Sequence, residues 1–184
     1  MVLLGGYVIS APTSQGPRDL PSPLRTISHC LLDDLPRPAD ADWFTDRVEA
    51  EKTLAQCRAP ADLVAVGLEE HLADALRAAC DEDGASHFFH LLDQRLPMPA
   101  DAVLLGHEVV GCETDFSFHS WHCHGYAGQV RRELGIVVDH AGLLADFADA
   151  LRVLHDLRTR PAQDAPYEIP WTVASLARCP AVGG

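Results

Sequence analysis

Between residues 143 and 157 the apolar side chains fall at Leu143, Leu144, Phe147, Ala150, Leu151, Leu154 and Leu157, with Pro161 just beyond. That spacing paints one face of an α-helix, and the proline stops it. A helix with such a stripe is stable only when the stripe is buried. The flanking segments supply the burying surface. Residues 102–113 carry Val103, Leu104, Leu105, Val109 and Val110, and residues 168–176 place Ile169, Trp171 and Val173 on one side. Both read as strands, so the second half of the chain predicts a helix packed on a sheet.

The first half is read in the same way. Residues 1–10 form a strand with Leu4, Tyr7, Val8 and Ile9 as its apolar members. Residues 11–23 hold four prolines and form a Pro-rich loop. Residues 24–32 read as a second strand, ended by Asp33, Asp34, Pro36 and Pro38. Phe44, Val48 and Ala55 predict a helix over 42–57. Val64 and Val66 mark 61–67 as a short strand or the lead-in to a helix. Leu68, Leu72, Ala75, Leu76 and Ala79 predict a helix, with Gly84 as its stop. Residues 86–94 read as a short helix or turn. Residues 118–134 read as a helix with Cys123, Ala127, Val130 and Leu134 on one face and Gly135 as a left-handed cap.

Strands and helices interleave without a regular βαβ rhythm. The expectation is therefore a single α+β domain over residues 1–184, with a mixed or antiparallel sheet packed by several helices. A chain of 184 residues buries about 70% of its unfolded surface, enough for a core without staples.

Asp and Glu number 27 against 14 Lys and Arg, a net charge of −13. That balance argues against nucleic acid, whose phosphates need a basic face, and against an anionic membrane surface. It suits a basic protein partner. No stretch reaches the length of a membrane span, and no Lys or Arg precedes the apolar run at the N-terminus, so a cytoplasmic location is expected. The six cysteines form no C-x-x-C pair and are expected as thiols. No dinucleotide, P-loop, zincin or nucleophile-elbow motif occurs.

One segment concentrates chemistry: His119, Ser120, Trp121, His122, Cys123 and His124. On a helix, His119, His122 and Cys123 share a face. On a strand, His122 and His124 share one face, and His119, Trp121 and Cys123 the other. Imidazoles and a thiolate bind zinc or copper, so His119, His122, Cys123 and His124 are candidate metal ligands, with His107, Glu108 and His140 as outside donors. The same segment also fits a thiol enzyme, with Cys123 as nucleophile and His122 beside it. His107, His140 or His155 would then serve as a more distant base, oriented by Asp139 or Asp146. The structural alternative puts Trp121 and Cys123 in the core, with the histidines at the surface or bonded to backbone.

The run Leu105-Gly106-His107-Glu108-Val109, then Ser120 with Gly125-Tyr126, then Ala141-Gly142-Leu143-Leu144 with Ala148 and Ala150, then Ala165-Pro166, resembles small bacterial immunity-type proteins found beside polymorphic toxins. A fainter match lies at Ile27-Ser28-His29-Cys30. The resemblance spans mostly residues 103–176. This chain departs from the pattern at His122, Cys123 and His124, where small and polar residues are usual. The resemblance implies an α+β inhibitor that binds a partner, and it supplies no catalytic residue. The expected function is thus an immunity-like binding protein. The alternative is a small metal- or cysteine-dependent enzyme centred on residues 119–124, in a biosynthetic pathway.

Overall fold

A computed structural model describes residues 1–10, 24–32, 43–57, 60–80, 87–113, 117–123, 126–160 and 168–180. The Pro-rich segment 11–23, Gly84 and His124 fall outside them.

Among the described residues five strands form one antiparallel sheet. β1 (Val2–Ser10), β2 (Asp62–Glu69), β3 (Val103–Cys112), β4 (Phe118–Ser120) and β5 (Trp171–Arg178) lie in the order β1-β2-β5-β3-β4. The helices are α1 (His29–Leu32), α2 (Arg47–Leu54), α3 (Glu70–Ala79), α4 (His87–Asp93), α5 (Tyr126–Leu134) and α6 (Phe147–Thr159). The expected α+β domain with an antiparallel sheet is what the chain forms.

Alternation along the central strands sorts the core. Val109 on β3 and Trp171 and Val173 on β5 pack with Val130 of α5 and with Val153, Leu154 and Leu157 of α6. Val110, Cys112, Ala174 and Leu176 pack with Ile27, Val66 and Phe118. Each fully buried Val or Leu contributes about 1.5–3 kcal/mol, so the two faces of β3 and β5 hold most of the domain together.

The stripe that ends at Leu157 is helical from Phe147, not from Leu143. Asp146 ends the preceding extended segment and accepts the Ala148 N–H at 2.8 Å, which caps α6. Leu144 instead bridges to His107 through two backbone bonds of 2.8 and 2.9 Å. Asp46 caps α2 likewise, through the Glu49 N–H at 2.9 Å. The closing strand forms as Trp171–Arg178 rather than from 168; Trp171 and Val173 share its helix-covered side, and Ile169, in the bend before it, packs against the same cluster.

Further expectations change. The helix expected over 42–57 begins only at Arg47, because Phe44 is bridged to Tyr7 instead, and Leu68 belongs to β2, so the helix that was to open there starts at Glu70. Residues 24–32 are not a strand: the Arg25 N–H goes to Ala141 O and the Ile27 N–H to a carboxylate, so that backbone is satisfied by a turn and a side chain. His29–Leu32 is a short helix. The helix expected over 118–134 begins only at Tyr126. Phe118, His119 and Ser120 pair with Cys112, Gly111 and Val110, so a ladder takes their backbone groups first. The cap at Gly135 does form, with φ of +65° and the Ile136 N–H reaching Arg131 O at 3.1 Å.

Candidate functional site

Glu108 sits on β3 next to Val109, with its side chain on the face that also carries Val110 and Ala174. It is wholly buried. A buried carboxyl must find donors, because an unpaired one costs several kcal/mol. Glu108 finds three. Thr26 Oγ1 donates to Oε1 at 2.5 Å, the Ile27 N–H donates to Oε2 at 2.9 Å, and the Ser120 hydroxyl bonds the same carboxyl. Burial nevertheless wins over these bonds and pushes the carboxyl above its ordinary range.

The donors are themselves held in place. Thr26 Oγ1 accepts the Ser28 N–H at 2.9 Å, and Ser120 Oγ accepts the His122 N–H at 3.2 Å. The Trp121 N–H extends the β4 pairing to Val109 O at 3.0 Å. Glu108 thus ties the segment after Leu24 to the turn after β4.

His122 lies in that turn and is 1% exposed. Its Nε2 is 2.7 Å from Gly142 O. A carbonyl only accepts, so Nε2 carries the proton and Nδ1 is bare. Nδ1 is buried without a hydrogen-bond partner. Burial lowers the imidazole pKa to about 4, and the nearby Arg131 charge acts in the same direction. The Trp121 ring lies against it, 4.6 Å between centroids. Gly142 is fixed by Asp139, whose Oδ1 accepts the Ala141 and Leu143 N–H groups at 2.8 Å each. With φ of +82°, and with Leu24 Cδ1 standing where a Cβ would go, the position favours glycine.

Cys123 is also buried, its Sγ 3.5 Å from Ser28 Oγ. The adjacent imidazole does not address it. His122 Nε2 is on Gly142 O and Nδ1 is unpartnered, so no thiol–imidazole hydrogen bond exists between them. His119 points elsewhere, its Nε2 2.7 Å from Glu113 Oε1, and Ser117 Oγ donates to the other carboxylate oxygen at 3.3 Å. There the carboxylate stands between serine and histidine, whereas a nucleophile relay needs the imidazole in the middle.

The remaining sequence candidates disperse. His107, next to Glu108, points to the opposite face, where Nδ1 meets Ser175 Oγ at 3.0 Å and the ring meets Phe147 edge-on; burial pushes its pKa down. His140 and His155 are exposed. Asp139 and Asp146 cap a turn and a helix. Among the described residues no group of three or more His, Cys, Asp and Glu is arranged to hold a metal ion; His119, His122 and Cys123 point to three different partners.

Sequence reasoning found His122, Cys123 and Ser120 as members of a cluster, and Glu108 as an outside donor. It did not place Thr26, Ser28 or Gly142 in the cluster, although Ser28 and Gly142 stand in the runs quoted for the resemblance. The available signal was Glu108 itself, a carboxylate inside an apolar strand that needs donors from elsewhere.

Away from this cluster, a cleft of about 520 Å³ runs between α3 and α6, with Leu76, Leu157, Arg158, Ile169 and Trp171 in its lining. It contains none of the residues above. No family model, curated protein or solved structure matches this chain.

Proposed function

We propose that the chain is an immunity-like binding protein, cytoplasmic, that neutralises a protein partner such as a basic toxin enzyme. The observation that carries this reading is the charge of −13. The basic side chains are in good part already spent: Arg47 on Glu51 and Asp101, Arg95 on Glu70 and Asp74, Arg160 on Asp156 and Glu133. The surplus negative field speeds encounter with a positive surface and repels nucleic acid. Among the described residues no helix is long and apolar enough to cross a membrane.

The test is neutralisation. Tagged chain expressed in its native cells is isolated at low salt, the stoichiometric partner is identified by mass spectrometry, and that partner's activity is assayed with and without the chain. A basic partner whose activity is suppressed, and whose affinity falls as salt rises, supports the reading. The absence of a stoichiometric partner, or a partner whose activity is unchanged, overturns it.

A second reading, a thiol- or metal-dependent enzyme built on His119, His122, Cys123 and His124 with zinc or copper, draws support from one observation. Glu108 and His122 are both buried and both displaced by burial from their ordinary pKa, and titratable groups so displaced cluster at functional sites. It requires an opening that exposes Cys123. Near-stoichiometric zinc or copper in tag-free protein that disappears in a folded Cys123→Ala variant would favour it.

A further inference from the structure

Sheet edges are liabilities that folds usually close. β1 is closed. Tyr7 exchanges backbone bonds of 2.8 and 2.9 Å with Phe44, the Leu4 N–H reaches Leu96 O at 2.8 Å, and the Met98 N–H reaches Val2 O at 3.2 Å.

Among the described residues the other side of the sheet is closed only in part. β4 is three residues long and pairs with Val110, Gly111 and Cys112. The Trp121 N–H takes Val109 O, and Leu144 takes both backbone groups of His107. From Leu105 back to Val103, no strand among the described residues pairs with the outer side of β3. Here the sequence is Val-Leu-Leu, with none of the charges or prolines that blunt an edge. Val103 is 58% and Leu104 55% exposed, a consecutive pair of large apolar side chains in water.

We infer that this open segment of β3 is where a partner docks, adding an extended strand to the sheet through main-chain hydrogen bonds. The inference rests on the binding reading above and gives it a surface. The occupant is an apolar, extended segment of a partner protein with basic residues on its flanks. Charge selects it. Asp101, about half exposed, lies two residues before Val103, and the field of exposed Asp146 reaches His107 just beyond Leu105. Arg47, the cation beside Asp101, is divided between that carboxylate and Glu51. Arg178, opposite Val103 on β5, is the basic neighbour on the inner side. A second copy of this chain would bring the same carboxylates and another −13, so the edge disfavours itself and favours a basic-flanked strand. The β-bulge between Leu104 and Gly106 limits how far an incoming strand can run in register. Affinity therefore comes from the side chains of Val103 and Leu104 as much as from the backbone.

The test uses the full chain and a synthetic peptide of alternating valine and threonine with two lysines at each end. A control peptide is N-methylated at alternate residues, which removes its ladder donors. Amide hydrogen exchange across the chain is followed by mass spectrometry. Saturating peptide should slow exchange at Val103–Leu105 by about tenfold when present at about ten times its Kd. The methylated peptide should not, and added salt should weaken the effect. A Val103→Lys, Leu104→Lys double variant, altered only at exposed positions, should keep the wild-type exchange pattern elsewhere and lose the protection. No protection at millimolar peptide, or protection mapped away from Val103–Leu105, overturns the inference. So does a sedimentation dimer whose formation protects the same amides without peptide. A neutralised basic partner that leaves these amides unprotected ends the strand-addition inference and leaves the binding reading intact. Lack of any such partner ends that reading itself.

Discussion

Acidification is expected to destabilise this fold through His122, and a His122→Gln variant should lose that dependence. The imidazole is buried, neutral and donates from Nε2 to Gly142 O. Its pKa falls from an ordinary 6.5 to about 4. Between those values the unfolded chain binds a proton that the folded chain refuses. Stability therefore falls as pH drops from about 6.5 to about 4 and levels off below. The displacement corresponds to about 3 kcal/mol, a large part of the roughly 5–15 kcal/mol that holds a domain together. Glu108 acts with the opposite sign. Its folded pKa is raised, so the native state keeps a proton that the unfolded state releases, and stability falls as pH rises above about 4.5. The two windows overlap, and the wild type should show a flatter profile than either variant. Glutamine at 122 still offers an N–H to Gly142 O, so His122→Gln should retain the fold and leave the Glu108 slope exposed. Glu108→Gln should do the reverse and steepen the acid loss. Guanidinium unfolding at several pH values between about 4 and 7.5, followed by the fluorescence of buried Trp121 and Trp171, measures this directly. Parallel profiles for wild type and His122→Gln would refute the assignment of a buried neutral imidazole.

Three further outcomes follow from the same contacts. Thr26→Val keeps the shape but removes the donor to Glu108 and the acceptor for the Ser28 N–H; it should cost about 1–3 kcal/mol in denaturant midpoint, and no change would mean the network is not formed. Gly142→Ala should lower stability by about 1–3 kcal/mol in thermal melts, because φ of +82° and the contact with Leu24 both oppose a Cβ; an unchanged melt would show that this turn is not strained. Iodoacetamide at neutral pH should label half-exposed Cys57 well before buried Cys123, as read by peptide mapping; Cys123 labelling first would mean the site opens readily and would favour the enzyme reading.

Much of the fold was legible because period and punctuation agreed. The stripe ending at Leu157, the run Val109-Val110 and the side shared by Ile169, Trp171 and Val173 each pointed to one element type. Residues 118–120 misled because three residues are too few to show a period, and the apolar positions Cys123, Ala127 and Val130 beyond them fit a helix. What settled them was long-range pairing with Val110–Cys112, which no local pattern reports. The segment after Leu24 failed for a related reason. Ile27 looks like a strand residue, but its N–H is claimed by a carboxylate 81 positions away. The candidate site was legible as composition and not as geometry. His119, His122 and Cys123 are neighbours in sequence, yet a strand followed by a turn sends them to Glu113, Gly142 and Ser28.

The two functional readings differ over the segment from Leu24 to Ser28. Chemistry at Cys123 needs that segment to move, because Ser28 lies against the thiol and Thr26 and Ile27 are fastened to Glu108. Buried hydrogen bonds contribute about 0.5–1.5 kcal/mol each between neutral groups and about 1.5–3 kcal/mol each when one partner is charged. Releasing two of them while baring Leu24 and Ile27, both in the core, leaves a closed segment and a rare open one. A substrate would have to supply that difference from its own binding energy before any reaction began. Docking at the outer edge of β3 would ask for no such rearrangement: Val103 and Leu104 are already in water, and the net negative charge that would draw a basic partner is permanent. In the enzyme reading the polar cluster is machinery, and loosening it with Thr26→Val should raise the reactivity of Cys123. In the binding reading the cluster is a brace, and the same variant should lower stability while leaving partner affinity at β3 unchanged.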